Sequence, residues 1–347
     1  MVAVAEPRLE IDVCDQAEQE DDPTYSEFPE DQSYLSSLTS SVVNYKYENG
    51  RRYHAFREGI YTLPNDKEEQ DRMDFIHHIY LLLLGGALYI APITNPARVL
   101  DLGTGTGLWA NDFADEHPTA EVFGINYLLL LIDEELGLHF VSGTDLSAIQ
   151  SPWVPPNVTF EIDDYETEWS YSAGFDLIHS RELMGFIADH DHFLTQAFEN
   201  LNPGGWIEMQ TTDPAIFSID GGMERAKIIP HYLANLHKAS AMFGKSMTEV
   251  GTWPDRMVKA GFKDVQVQIL TLPIGTWPKD AKLKEIGKFQ QVQVLQAVDS
   301  YTPALYTRVL GWTREEVNNL CTQVRAELQD RSLHLYLKVH IVIGKKP

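Results

Sequence analysis

The eleven residues Val99–Trp109, "VLDLGTGTGLW", decide how this chain is read. A short apolar run leads into Gly103, Gly105 and Gly107, and "LWANDFADEHP" (Leu108–Pro118) follows as a helix stopped by proline. A strand that turns through glycines into a helix brings backbone N–H groups against a ligand, where side chains would block the approach. A dinucleotide fingerprint needs a third glycine at position 108, which is Leu108, and no Gly-Lys-Ser/Thr follows as a P-loop requires. Asp101 stands just before the glycines. A carboxylate there repels a pyrophosphate but can hold the ammonium of an amino-acid moiety. S-adenosyl-L-methionine (SAM) carries such an ammonium and no phosphate, so it is the expected ligand.

Outward from this loop the pattern alternates. "AEVFGI" (Ala120–Ile125), "NVTFEIDD" (Asn157–Asp164), "FDLIHS" (Phe175–Ser180) and "WIEMQTTD" (Trp206–Asp213) read as strands, and "DHFLTQAFENLNPGG" reads as a helix with a closing turn. Strands alternating with helices over 97–213 predict a mostly parallel α/β sheet with helices on both faces. "DVQVQIL" (Asp264–Leu270) and "LHLYLKVHIVIG" (Leu333–Gly344) alternate with period two, as closing strands do, with a helical stretch between them that includes Thr313–Leu328. Upstream, Asp66-x-x-Glu69 resembles a capping box opening a helix, with Pro92 and Pro96 closing it.

In doubly wound folds the second strand ends in an acid that bonds ribose hydroxyls about 20 residues past the glycines. Asp145, in "GTDLS" with Leu146, has the right local context but lies 38 residues after Gly107. Between strand and loop runs Ile125–Gly143, nineteen greasy residues whose removal restores the spacing to 19. The third strand ends in Asp163-Asp164-Tyr165, where a carboxylate can accept the adenine amino group and a ring can flank the base.

Composition limits the alternatives. The chain has 347 residues and a formal charge of −24, which argues against nucleic-acid and anionic-membrane binding. Residues 1–40 hold eleven acids and one base, Arg8, and read as a disordered acidic tail, with a protein-docking peptide as the sharper alternative. Two cysteines and no C-x-x-C pair suggest neither a disulfide framework nor a metal site. No secretory signal and no membrane span are read, so a soluble, cytoplasmic protein is expected, with a nuclear location as the alternative.

"ENGRRYHAFREGIYTLPNDKEEQDRMDFIHH", the glycine-loop segment, "GTDLSAIQSPWVPPNVTFEIDD", "FDLIHSREL" and "LNPGGWIEMQ" together resemble the fungal LaeA-like class I SAM-dependent methyltransferases, in order, over about residues 45–215. The resemblance implies a Rossmann-like seven-stranded sheet, SAM as methyl donor, and a role in secondary metabolism. It carries SAM contacts onto Asp101, Gly103, Gly105, Gly107, Asp145 and Asp164; Thr104, Leu146, Asp163 and Tyr165 beside them complete the expected cofactor set. It also assigns Tyr53, His54 and Arg57 to a segment over the cofactor. The pattern of elements itself reads residues 41–347 as one domain, the expected methyltransferase domain, with a helical insert at 214–260 on the substrate side.

Two departures stand out. Family members usually read "GSI-x-D-W" where this chain has Gly185-Phe186-Ile187-Ala188-Asp189-His190. Members also run from strand two directly into the acidic loop, as "AEVFGTDLSAIQ" would. Nineteen residues correspond to 57 nucleotides, in frame, so 125–143 reads as a translated, unspliced intron, with a genuine surface insertion as the alternative.

The expected acceptor is a small molecule. The competing functions are a LaeA-like regulator working through protein partners and an inactive product whose insertion blocks the site. For a base, His179 at the end of strand four is the first candidate, with Arg181, Glu182 and His54 also considered. Arg181 is expected to anchor a loop or an acidic substrate.

Overall fold

The computed structural model describes residues 9–12, 46–48, 50–53, 62–126, 154–162 and 164–347. His54, Arg57, Asp145, Leu146 and Asp163, and with them 127–143 of the odd segment, lie outside the described residues.

A hairpin, β1 (Lys46–Glu48) and β2 (Arg51–Tyr53), precedes the long helix α1 (Lys67–Leu84). Then come β3 (Arg98–Leu102), α2 (Leu108–Glu116), β4 (Glu121–Asn126), β5 (Val158–Ile162), β6 (Phe175–Arg181), α3 (His190–Asn200) and β7 (Leu201–Ser218). The remainder is α4 (Gly222–Arg225), α5 (Ile229–Phe243), α6 (Trp253–Ala260), β8 (Lys263–Pro273), α7 (Ala281–Ala304), α8 (Arg314–Leu328) and β9 (Leu335–Lys345). Seven strands form one sheet in the order β5-β4-β3-β6-β7-β9-β8. β3 to β7 are mutually parallel, and β9 runs antiparallel to both β7 and β8. This is the Rossmann-like, mostly parallel α/β sheet that the resemblance implies. Strand order reverses between β3 and β6, and ligands in open α/β sheets bind at the carboxyl ends flanking such a point.

Local chemistry explains the main elements. Val99, Leu100, Leu102, Leu177 and Ile178 are fully buried, as strands covered on both faces require. Asp66 caps α1, accepting from the Glu69 N–H at 3.2 Å, but the Glu69 side chain does not reciprocate as a capping box would. It turns instead to Arg72. The helix ends at Gly85, in the left-handed conformation with φ 68°, before the expected prolines are reached. Thr313 and Glu316 do form a full capping box, opening α8. Pro303 lies inside α7, and the next residues, Leu305–Val309, relax into a π-turn.

Four residues of the acidic tail are packed down. Ile11 bridges to Pro278, the Asp12 N–H donates to the Trp277 carbonyl at 2.9 Å, and Asp12 pairs with Lys284. The two acids of this stretch meet lysines: Glu10 pairs with Lys279, just before α7, and Asp12 with Lys284 in its first turn.

Ile125 and Asn126 belong to β4, pairing with Glu161 and Ile162. Ile125 is buried, and its carbonyl accepts the Thr104 N–H at 2.8 Å, tying the glycine loop to the sheet. The odd segment thus does not lie wholly outside the sheet. On the intron proposal, deleting 125–143 would put Thr144 and Asp145 into these two register positions. The Thr104 bond needs a backbone carbonyl alone, so Thr144 can supply it. The shortened chain is expected to melt no lower than the full chain and to bind SAM at least as tightly. Insolubility of the shortened chain would show that 125–143 is structural.

His190 starts α3 where the family reads tryptophan, and burial holds its pKa down, from 6.5 to about 4. A buried neutral imidazole contributes stability that is present above pH 6.5 and lost as pH falls toward the folded value. That contribution is at most about 3 kcal/mol. Denaturant melts between pH 7 and 4 are expected to show a smaller acid loss in His190→Gln than in the wild type. Identical pH slopes would contradict this assignment.

Candidate active site

The β3–α2 turn is built by three glycines with different tasks. All have positive φ: 71° at Gly103, 59° at Gly105 and 82° at Gly107. A Cβ on Gly103 would lie 2.5 Å from Leu183 Cδ2, and one on Gly107 would lie 2.6 Å from Phe160 Cζ, so these two are required by packing. Gly107 does not line the cleft. Gly105 does, and its nearest obstacle is Met73 Sδ at 3.2 Å. Gly103, Thr104, Gly105 and Thr106 all line the ligand space, and of these Gly103 and Gly105 are the partly exposed ones.

The cleft lies above the carboxyl ends of β3 and β6 and is closed from above by α1 and Tyr301 of α7. The space over its walls, open solvent included, is about 1100 Å³. Asp101 lines it and is 2% exposed. One carboxylate oxygen, Oδ1, faces His179 Nδ1 at 2.7 Å. Burial lowers the His179 pKa, so the neutral ring donates Nδ1–H to Asp101. The ring also stacks on Trp109, with centroids 3.7 Å apart and planes within 4°. His179 itself is 0% exposed and lines neither cavity. A base must reach the proton it removes, and an imidazole sealed behind Asp101 and Trp109 does not. The structure instead gives His179 the task of holding the acid of the glycine loop.

Arg181 lines the cleft but spends its guanidinium on the wall. Nε donates to Gln210 Oε1 at 2.8 Å, Nη2 to the Leu88 carbonyl at 3.3 Å, and Nη1 faces His77 Nδ1 at 3.1 Å. Because arginine only donates, His77 accepts on Nδ1 and donates Nε2–H to Asp112 at 2.9 Å. Arg181 also stacks over Tyr80, 4.5 Å from the ring centroid. It anchors the segment around Leu88, as a loop anchor would.

The remaining expected contacts divide. Tyr165 lines the cleft, its hydroxyl donating to the Phe186 carbonyl at 3.1 Å. Asp164 Oδ1 accepts the Glu166 N–H at 2.9 Å and closes a local turn, and Asp164 does not line the cleft. Tyr53 is buried beneath Arg308, away from both cavities, and burial raises its pKa to about 12. Thr104 lines the cleft, while its Oγ1 is buried against Gly124 of β4 with no hydrogen-bond partner among the described residues. The Gly105 backbone and the Asp101 carboxylate line the same cleft, a donor and an acceptor of the kind an amino-acid moiety needs.

A second cavity, of about 900 Å³ with open solvent included, adjoins the first. The two share Arg72, Ile76, Glu182 and Tyr301. Its walls are mainly aliphatic and aromatic: Ile79 from α1, Leu233 and Leu236 from α5, Val294 and Val298 from α7, and Leu337 from β9. α5 lies within residues 214–260. The walls from α1 and α7 were not visible in the sequence, because only tertiary packing brings those helices side by side.

Residues 75–267 match the family model described as "Methyltransferase domain". The chain is 37% identical to "Methyltransferase pytC" of Aspergillus terreus over 316 residues, 91% of this chain and 92% of that protein. It is 30% identical to "Protein-methionine methyltransferase laeA" of Emericella nidulans over 322 residues, 91% of this chain and 80% of that one. A solved structure of Haemonchus contortus phosphoethanolamine N-methyltransferase 2 with SAM aligns at 16% identity and TM-score 0.43, over 80% of this chain and 52% of that one. By the family model and by identity over nine-tenths of its length, this chain belongs to the fungal LaeA-like methyltransferases.

Proposed function

We propose that the chain transfers a methyl group from SAM to a small molecule in fungal secondary metabolism. That it is a SAM-dependent methyltransferase follows from its family; the acceptor class is our inference. The observation that carries it is the apolar second cavity meeting the cofactor cleft at Arg72, Glu182 and Tyr301. Ligand pockets for small molecules are concave and mostly apolar, with few polar groups.

SAM supplies an electrophilic methyl on a sulfonium, and the protein's task is mainly alignment. Asp101 is positioned to hold the ammonium, with Thr104 and the Gly105 backbone beside it, and Tyr165 to flank the adenosine. Asp145, with Leu146, and Asp163 remain the proposed ribose and adenine contacts. His54 and Arg57 remain proposed cover residues.

A protein acceptor is the second reading, favoured by the 30% identity to laeA, and a thioether could enter the same apolar space. Docking of a protein partner through the acidic tail would suit that reading. Incubating the purified chain with methyl-labelled SAM and a fungal extract separates the two. Label in the organic-soluble fraction is expected; label confined to precipitated protein would reverse the assignment. Among the described residues no helix is long and apolar enough to cross a membrane.

A further inference from the structure

Glu182 follows the last residue of β6 with φ 58°, a left-handed conformation that a non-glycine residue adopts at a cost. Strain of this kind persists where the surroundings over-determine it, and here they do. The Glu182 N–H donates to the Gln210 carbonyl at 2.9 Å. Its Oε1 accepts three hydrogen bonds: Tyr80 Oη at 2.6 Å, Thr212 Oγ1 at 2.7 Å and the Thr212 N–H at 3.0 Å. One carboxylate oxygen is thereby fixed, and the side chain borders both cavities.

Across the same neck stands Arg72, 2% exposed. Glu69 grips it twice, from Nε at 2.9 Å and Nη2 at 2.5 Å, and Ser300 Oγ in turn donates to Glu69 Oε2 at 2.5 Å. Its guanidinium lies 5.4 Å from the Tyr301 ring centroid. The remaining nitrogen, Nη1, is buried with no partner at full hydrogen-bond distance among the described residues, while Arg72 also interacts with the Tyr301 hydroxyl. A buried charged donor left unmatched is expensive. Held rigidly at the border of two cavities, it calls for an oxygen from a ligand.

We propose that the second cavity takes an apolar molecule bearing an acidic hydroxyl, phenolic or enolic, which meets Glu182 as general base and Arg72 Nη1 as the donor to its oxygen. This rests on the small-molecule reading above. The hydroxyl proton passes to Glu182 Oε2. The oxygen lone pair forms the new C–O bond while the C–S bonding pair of the methyl donor leaves with sulfur. The products are a methyl ether, S-adenosylhomocysteine and a protonated Glu182, which returns its proton to water. Acidity selects the acceptor class. A carboxylate is a poor base toward a hydroxyl of water-like pKa, about 16, and a far better matched one toward a phenol near ~10. Arg72 narrows the gap further by stabilising the developing oxyanion.

The test uses the full chain saturated with S-adenosylhomocysteine and three probes of one shape: 2-naphthol, 2-naphthalenemethanol and 2-methylnaphthalene. Calorimetry is expected to show 2-naphthol binding at least about 10-fold tighter than the other two. Glu182→Gln keeps an Oε1 acceptor for Tyr80 and Thr212, so it is expected to fold and to bind S-adenosylhomocysteine within about two-fold. It is expected to lose the naphthol preference and, with SAM present, about 100-fold in kcat, with the KM for 2-naphthol rising about as much as its affinity falls. Leu236→Trp, which fills the cavity away from the neck, is expected to weaken all three probes alike. Equal affinity for the three probes, or an undiminished preference in Glu182→Gln, would overturn the proposal. Failure to bind S-adenosylhomocysteine would instead remove the methyltransferase reading beneath it.

Discussion

Gly105→Val is expected to weaken SAM binding at least about 100-fold, near 3 kcal/mol, while the protein still melts cooperatively. Gly105 presents bare backbone to the cleft at φ 59°. A branched side chain there resists that conformation and occupies the space in which backbone N–H groups would meet the ligand. Gly103→Ala and Gly107→Ala are the informative contrasts. Their added methyl groups would fall 2.5 Å from Leu183 and 2.6 Å from Phe160, so they are expected to lower the melting temperature first. Calorimetric titration and thermal melts on the three variants separate the two effects. Unchanged SAM affinity in Gly105→Val would show that the loop does not hold the methyl donor.

Asp101→Ala is expected to fail in two ways at once. Loss of the ammonium partner removes a charge-assisted bond of about 1.5–3 kcal/mol, roughly 10- to 150-fold in SAM affinity. It also leaves the His179 Nδ1–H buried without its acceptor, at a cost of about 1–3 kcal/mol in stability. Asp101→Asn separates these, since its amide oxygen can still accept from His179. That variant is expected to recover most of the stability and little of the affinity. If the two substitutions weaken SAM equally little, Asp101 serves the fold alone.

The glycine turn and the strands around it were legible because local chemistry specifies them. Gly103, Gly105 and Gly107 adopt the positive φ their residue type favours, and β3, β4, β5 and β6 fall where apolar runs meet turn residues. The end of α1 was misplaced because Gly85 already supplies a left-handed cap before Pro92. Glu69 has the spacing of a capping residue, yet it is drawn away by Arg72 and Ser300, the latter 231 positions distant. His179 shows the same limit. Its place at a strand end suggested chemistry, but which face of β6 it occupies, and that Trp109 covers it, depend on helix α2 packing on the sheet. Arg72 carries no mark in the sequence at all. It becomes notable only when burial and its unmatched nitrogen are known.

Calorimetric titration of the purified full chain with SAM, and in parallel with NAD, tests the central claim most directly. One-to-one binding of SAM, displaced by S-adenosylhomocysteine, with no heat from NAD, is the predicted result. Binding of NAD, or no binding of SAM by a protein that melts cooperatively, would contradict it.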